Sequence, residues 1–170
     1  MSLVANADIF GPGREALALA HKAWGGRGGF LSVATLPADC RRVPYAFGEP
    51  VGERRERIAA LVAEFASLII PTPVGEAQGL DTIGFFADCR RAFPQAHIIA
   101  DLELLGHKLG QLCLAFGADA IVGTIVDQRA LRLGERAGSH ELTRDEAAQL
   151  LRASGFEPCA GLPQAGARQP

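Results

Sequence analysis

HIIADLELLGHKLGQLCLAFGADAIVGTIV, from His97 to Val126, is the stretch that decides the fold. It opens with a short apolar run over 97–100 and continues as an amphipathic segment. That segment stops at Phe116-Gly117-Ala118-Asp119, and a second apolar run follows over 120–122. Short apolar runs bounded by breakers read as buried strands, and the periodic segment between them reads as a helix closed by glycine. The unit is strand, helix, strand.

The same unit recurs outward from this stretch. FLSVATL at 30–36 is β-rich and bounded by glycine and proline, and SLIIP at 67–71 is a continuous apolar run of strand length. Helical patterns cover 14–24, 52–66, 80–93 and 102–116. In the clearest of them, Ile58, Leu61, Val62 and Phe65 share one face. The prolines at 37, 44 and 50 make 37–50 irregular. Beyond Thr124, residues 126–135 read as a short helix and 136–141 as a loop. Thr143 and Glu146 form a capping box that opens a helix to about residue 153. Residues 156–159 add a short strand. Gly11-Pro12-Gly13 marks 1–13 as a flexible start, and the Gly, Pro, Gln and Ala composition of 161–170 marks a disordered tail. One α/β domain over 14–160 remains. Its four to five parallel strands fit either an open sheet or part of a (β/α) barrel. A complete barrel needs about 250 residues, so at 170 residues a barrel would be partial.

Composition bounds the function. Apolar residues make up 48% and charged residues 21%, a globular balance, and a net charge of −2 gives no pull toward nucleic acid or an anionic membrane. No apolar run approaches the roughly 20 residues that cross a bilayer. Cys40, Cys89, Cys113 and Cys159 are scattered and form no CxxC pair. Cys89 and Cys113 read as small core hydrophobes, no metal is expected, and a reduced, cytoplasmic protein follows. There is no dinucleotide fingerprint, no phosphate loop and no serine-hydrolase elbow. The lone histidines, His21, His97, His107 and His140, lie in separate segments.

Ligands of parallel α/β folds sit at the C-terminal ends of strands. Thr72, Asp101, Glu103, Thr124 and Asp127 fall at or just beyond such ends. A carboxylate there can orient a hydroxyl or amine or act as a general base. Asp101 can also serve as the N-cap of the next helix, and Thr124 can cap the segment after it.

FGADAIVGTIVDQ at 116–128, with LGHKLGQLCL at 105–114 before it and LTRDE and LLRASGFEP near the C-terminus, resembles one radical-SAM family. That family comprises aminofutalosine synthase and cyclic dehypoxanthine futalosine synthase of menaquinone biosynthesis, with the deazaflavin (FO) synthases as relatives. The resemblance covers about residues 78–158, with a fainter match back to about residue 16. It implies the C-terminal half of a barrel without the CxxxCxxC loop that holds the family's [4Fe–4S] cluster. Ala120 replaces the second of the family's paired acids. Asp127-Gln128 replaces Glu-Glu, and Tyr45-Ala46-Phe47-Gly48-Glu49 lacks the family's histidine. The expected ligand-binding set is Thr72, His97, Asp101, Glu103, Asp119, Thr124 and Asp127, facing a small polar or nucleoside-like ligand. The cluster and S-adenosylmethionine are expected only through a partner half. A half-barrel leaves strand edges and one face of its core uncovered, so a homodimer or a complementary half-barrel chain is expected.

Overall fold

The structure is a computed structural model that describes residues 10–63, 67–76, 79–126 and 141–164. Phe65, the expected helix over 126–135 apart from Val126, Asp127, His140, the first nine residues and the tail from 165 lie outside the described residues, and Val126 is in a strand. The chain order is α1 (Phe10–Trp24), β1 (Arg27–Ser32), β2 (Arg41–Ala46), α2 (Val51–Ala63), β3 (Leu68–Val74), α3 (Gly79–Ala92) and β4 (His97–Asp101). It continues with α4 (Leu102–Ala115), β5 (Ala120–Gly123), β6 (Ile125–Val126), β7 (Leu142–Thr143), α5 (Arg144–Ala153) and β8 (Glu157–Ala160). Six strands form one parallel sheet in the order β2-β3-β4-β5-β1-β8, and β6 and β7 make a separate parallel pair.

The two faces of this sheet are unlike. Val43, Tyr45, Ile69, Ile98, Ala100 and Ile121 point to the face that packs against the helices. Leu31, Ile70, Ile99, Ala120 and Val122 point to the other face, where Leu36, Cys40 and Leu162 pack on them. Strand handedness explains the asymmetry. Right-handed crossovers that step one way along a sheet place their connections on one face, and a step the other way uses the opposite face. The steps from β2 through β3 and β4 to β5 all run one way and carry α2 and α3, then α4. The single reverse step, β1 to β2, is made by 33–40, whose Leu36 and Cys40 lie on the second face.

The differences from the sequence reading are local. Helix α1 starts at Phe10, not Arg14, because a proline in the first turn forfeits only an amide that has no helical acceptor. Strand β1 begins at Arg27 and gives way to a 3-10 turn at Val33–Thr35, capped by the Ser32 hydroxyl. Gly28 and Gly29 therefore sit inside a strand. A Cβ at Gly28 would press on Leu151 and Phe156, and one at Gly29 would overlap the Gly161 carbonyl oxygen. The irregular span expected over 37–50 contains β2, an edge strand in which the proline is tolerated. Pro44 in β2 and Pro158 in β8 remove a ladder donor from each of the two sheet edges. The expected disordered tail is tied down at its start: Gly161 bridges Phe30 and Leu162 packs on the second face. The capping box at Thr143 and Glu146 is present as read, with the Thr143 hydroxyl accepting from Glu146 N and the Glu146 carboxylate accepting from Thr143 N.

Gly29→Ala should lower stability by about 1–3 kcal/mol through overlap with backbone, read as a reduced urea midpoint. Gly52→Ala, in helix α2 with open space around the new methyl, should be neutral or stabilising by up to about 1 kcal/mol.

Candidate functional site

Three of the expected residues meet at the C-terminal end of the sheet. Asp101 ends β4 and is the N-cap of α4, its Oδ1 accepting from Glu103 N at 3.1 Å. Its Oδ2 receives Arg42 Nη1 from β2 at 3.1 Å. The Thr124 hydroxyl donates to Glu103 Oε1 at 2.6 Å. Asp101 is 3% exposed while the Arg42 side chain is 49% exposed, so the ion pair has one dry end and one wet end. Both readings of Asp101 hold in one geometry, with one oxygen on the helix and the other on a cation. Thr124 makes its bond to Glu103, and the segment it was expected to cap lies, beyond Val126, outside the described residues.

Arg42 was missed by the sequence reading because Pro44 made its segment look irregular. The signal was present: reading Pro44 as an edge-strand proline puts Arg42 two residues earlier on the same face. The register pairs Arg42 with Ile70, a residue of the second face.

Of the remaining expected residues, Thr72, His97 and Asp119 do not join this cluster, and Asp127 lies outside the described residues. Thr72 lies inside β3, which runs to Val74, and its hydroxyl donates to Ile70 O at 3.0 Å within its own strand. His97 and Asp119 lie at the other, N-terminal end of the sheet. That corrects the single ligand set. His97 Nδ1 is 2.6 Å from Asp119 Oδ2, and Asp119 Oδ1 accepts from Ile98 N at 2.8 Å and from the Arg90 guanidinium. Arg90 also donates from Nε to Gly117 O and from Nη1 to Ala96 O, both at 2.7 Å. Trp24 stacks on the His97 ring with centroids 3.8 Å apart. Burial lowers the Arg90 pKa and the Asp119 carboxylate opposes that shift. With Asp119 ionised, His97 donates from Nδ1, which fixes its tautomer. This is a structural knot, since Arg90 and Asp119 are both fully buried.

Among the described residues no three His, Cys, Asp or Glu side chains come together as a metal-ligand group. Cys89 and Cys113 are buried among core residues, and burial pushes both thiols up. Cys40 and Cys159 are part-buried, and all four are free thiols. No helix among the described residues is long and apolar enough to cross a membrane. What the C-terminal cluster can do chemically is bind: two carboxylates, one guanidinium and one hydroxyl can hold a ligand that carries hydroxyl or amino groups. No family model and no curated protein matches this sequence.

Two carboxylates that look alike in sequence should behave differently on substitution. Asp119→Asn leaves the Arg90 guanidinium buried without its counter-charge and should cost about 3–5 kcal/mol. Asp101→Asn keeps a side chain that can cap a helix and loses a half-wet ion pair, so it should cost at most about 1 kcal/mol. Urea unfolding of the two variants reads the difference.

Tyr45 gives a pH dependence. Its phenol is buried, donates to Thr82 Oγ1 at 2.9 Å, and is pushed up to about 12, chiefly by burial. A raised folded-state value means that the folded state holds this proton more tightly than the unfolded one. Its contribution is complete below about pH 10 and is lost as the pH rises toward 12. The stability advantage of the native chain over Tyr45→Phe should stay constant up to about pH 10 and shrink above it, as measured by denaturant titration at each pH.

Proposed function

We propose that the chain is a partial (β/α) barrel. We propose that it serves as the substrate-side half of an enzyme of the radical-SAM menaquinone and deazaflavin type, which its sequence resembles. The observation that carries this reading is the convergence of Asp101, Glu103 and Thr124, with Arg42, at the C-terminal strand ends. That is where parallel α/β folds hold their ligands. The packing of all the described helices on one face supports the barrel part of the reading, because an open doubly wound sheet carries helices on both. So does the shortness of the β1–β2 link. In a flat sheet it would cross four strand spacings, about 19 Å, and also return along the strands. Its eight residues reach at most about 30 Å when fully extended, and three of them are wound into a 3-10 turn. Curling the sheet shortens the path. The strand order departs from a sequential barrel at one place, the insertion of β1 between β5 and β8.

The chain's own residues do not fit an iron–sulfur cluster. Cys89 and Cys113 are sealed in the helix-facing core, and none of the cysteines belongs to a metal-ligand group among the described residues. In this reading the cluster and S-adenosylmethionine belong to a partner chain, and these residues bind and orient the substrate. The carboxylates would take ligand hydroxyls or an amine, with Arg42 holding Asp101 in place.

The self-filled second face favours a second reading, a non-catalytic module for a small polar or nucleoside-like ligand. Leu36, Cys40 and Leu162 occupy the space where a complementary half would otherwise pack.

Thermal-shift measurements with futalosine-type nucleosides, flavin precursors and S-adenosylmethionine test the shared part. A nucleoside-like ligand at about 100 times its Kd should stabilise the chain by about 2.7 kcal/mol. Asp101→Asn should abolish that shift, and S-adenosylmethionine alone should give none. No shift with any nucleoside defeats both readings. Complex formation with a half-barrel chain bearing CxxxCxxC, seen by size-exclusion chromatography, separates the first reading from the second.

A further inference from the structure

A second concavity lies on the helical side of the molecule, remote in chemistry from the carboxylate cluster. It is a groove of about 460 Å³ between α2 and α3, closed at one end by Pro12 and Phe116. Its wall on α3 is a single stripe that includes Leu80, Ile83, Gly84, Ala87 and Arg91, the three-and-four spacing of one helix face. Its wall on α2 is Val51, Arg54 and Arg55. From residue 80 to residue 91 the stripe is about 16 Å long.

Three observations on this groove agree. Its apolar wall is open to solvent, with Leu80 66% and Val51 48% exposed. Its charge is one-sided: three arginines face one acid, Asp88, which sits 3.6 Å from Arg54 Nε and 2.5 Å from Arg91 Nη2. Glu15 reaches Arg91 only at 3.9 Å. Arg55 has no ion pair among the described residues and is exposed. Finally, Arg54 Nε is sealed from solvent, and Asp88 Oδ2, at 3.6 Å, stands just beyond hydrogen-bond length from it. A head group entering the groove would therefore meet the exposed Arg55 guanidinium first, with Arg54 behind it already leaning on Asp88.

The geometry points to a binding site for a single-chain amphiphilic anion, a carboxylate or phosphate ester with an apolar chain of about ten carbons. The chain would lie along the Leu80–Ala87 stripe, with its head group at Arg54 and Arg55. An amphipathic helix of a partner protein is the poorer fit, because a helix about 10 Å wide needs a broader trough than one walled by two neighbouring helices. Gly84 sets the depth of the groove. A Cβ there would find only Arg54 Nη1, at 3.9 Å, so a larger side chain at this position would fill the space without striking the core. This site is independent of the reading given to Asp101 and its neighbours.

The test is calorimetric titration of the full chain with monomeric decanoate and decyl phosphate, with decyltrimethylammonium and decanol as controls. Both anions should bind saturably at one site per chain, and the cation and the alcohol should bind at least tenfold more weakly. Gly84→Leu should abolish binding while keeping the melting temperature, since leucine is the better helix former. Arg55→Glu should weaken binding at least tenfold without altering the far-ultraviolet spectrum. Equal binding of cation and anion, or unchanged affinity in Gly84→Leu, would overturn the assignment. So would binding only to anionic phosphatidylglycerol vesicles or only to an acidic helical peptide.

Discussion

The buried carboxylate of Asp119 is the constraint on which the N-terminal end of this domain depends. It accepts from the Arg90 guanidinium of α3, the His97 imidazole at the start of β4 and the backbone amide of Ile98. Arg90 in turn gathers the carbonyls of Ala96 and Gly117, which end the two turns leading into β4 and β5. Trp24 closes the knot from α1 by stacking on His97. A charge buried this deeply is tolerated only when paired and fully hydrogen-bonded. The arrangement fixes where two central strands begin, and hence where their far ends deliver Asp101 and Thr124.

The knot and the carboxylate cluster are coupled through the central strand β4. His97 begins that strand and Asp101 ends it, and every residue between them is buried. With one end held by a charge network and the body packed on both faces, the other end has little freedom. The Asp101 carboxylate is fixed further by capping α4 and by the reach of Arg42 from the sheet edge. The chain thus places a buried charge network at one end of its sheet and the carboxylate cluster at the other, the end at which parallel α/β folds hold their ligands.

The 97–126 stretch was legible because its helix is periodic, its glycine stop is unambiguous and its strands are buried on both faces. Cys89 and Cys113 were equally readable, as apolar residues on a helix face. Three features were not legible, each for a physical reason. Strand β2 is exposed on alternate positions and carries a proline, so it lacks the apolar run that betrays a central strand. The two glycines of β1 make room for the Leu151 and Phe156 side chains and for the Gly161 backbone, which resembles a helix stop until those neighbours are known. The separation of His97 and Asp119 from Asp101 follows from strand direction. His97 and Asp101 are four residues apart in sequence yet stand at opposite ends of a sheet.

The place of β1 in the sheet governs the order in which the chain can be assembled. Strands β2 to β5 are neighbours in sequence and can add one after another as the chain lengthens. Strand β1 is made before all of them, but its two neighbours, β5 and β8, lie in the last third of the chain. Until residues near 160 are available, β1 has no complete set of partners and the glycines built for close approach approach nothing. Such long-range pairing slows folding and leaves apolar surface uncovered in the interval. The growing chain therefore has no partner for its first strand until β5 is made and only one until β8 is, and a truncation that removes β8 leaves that strand at an open edge.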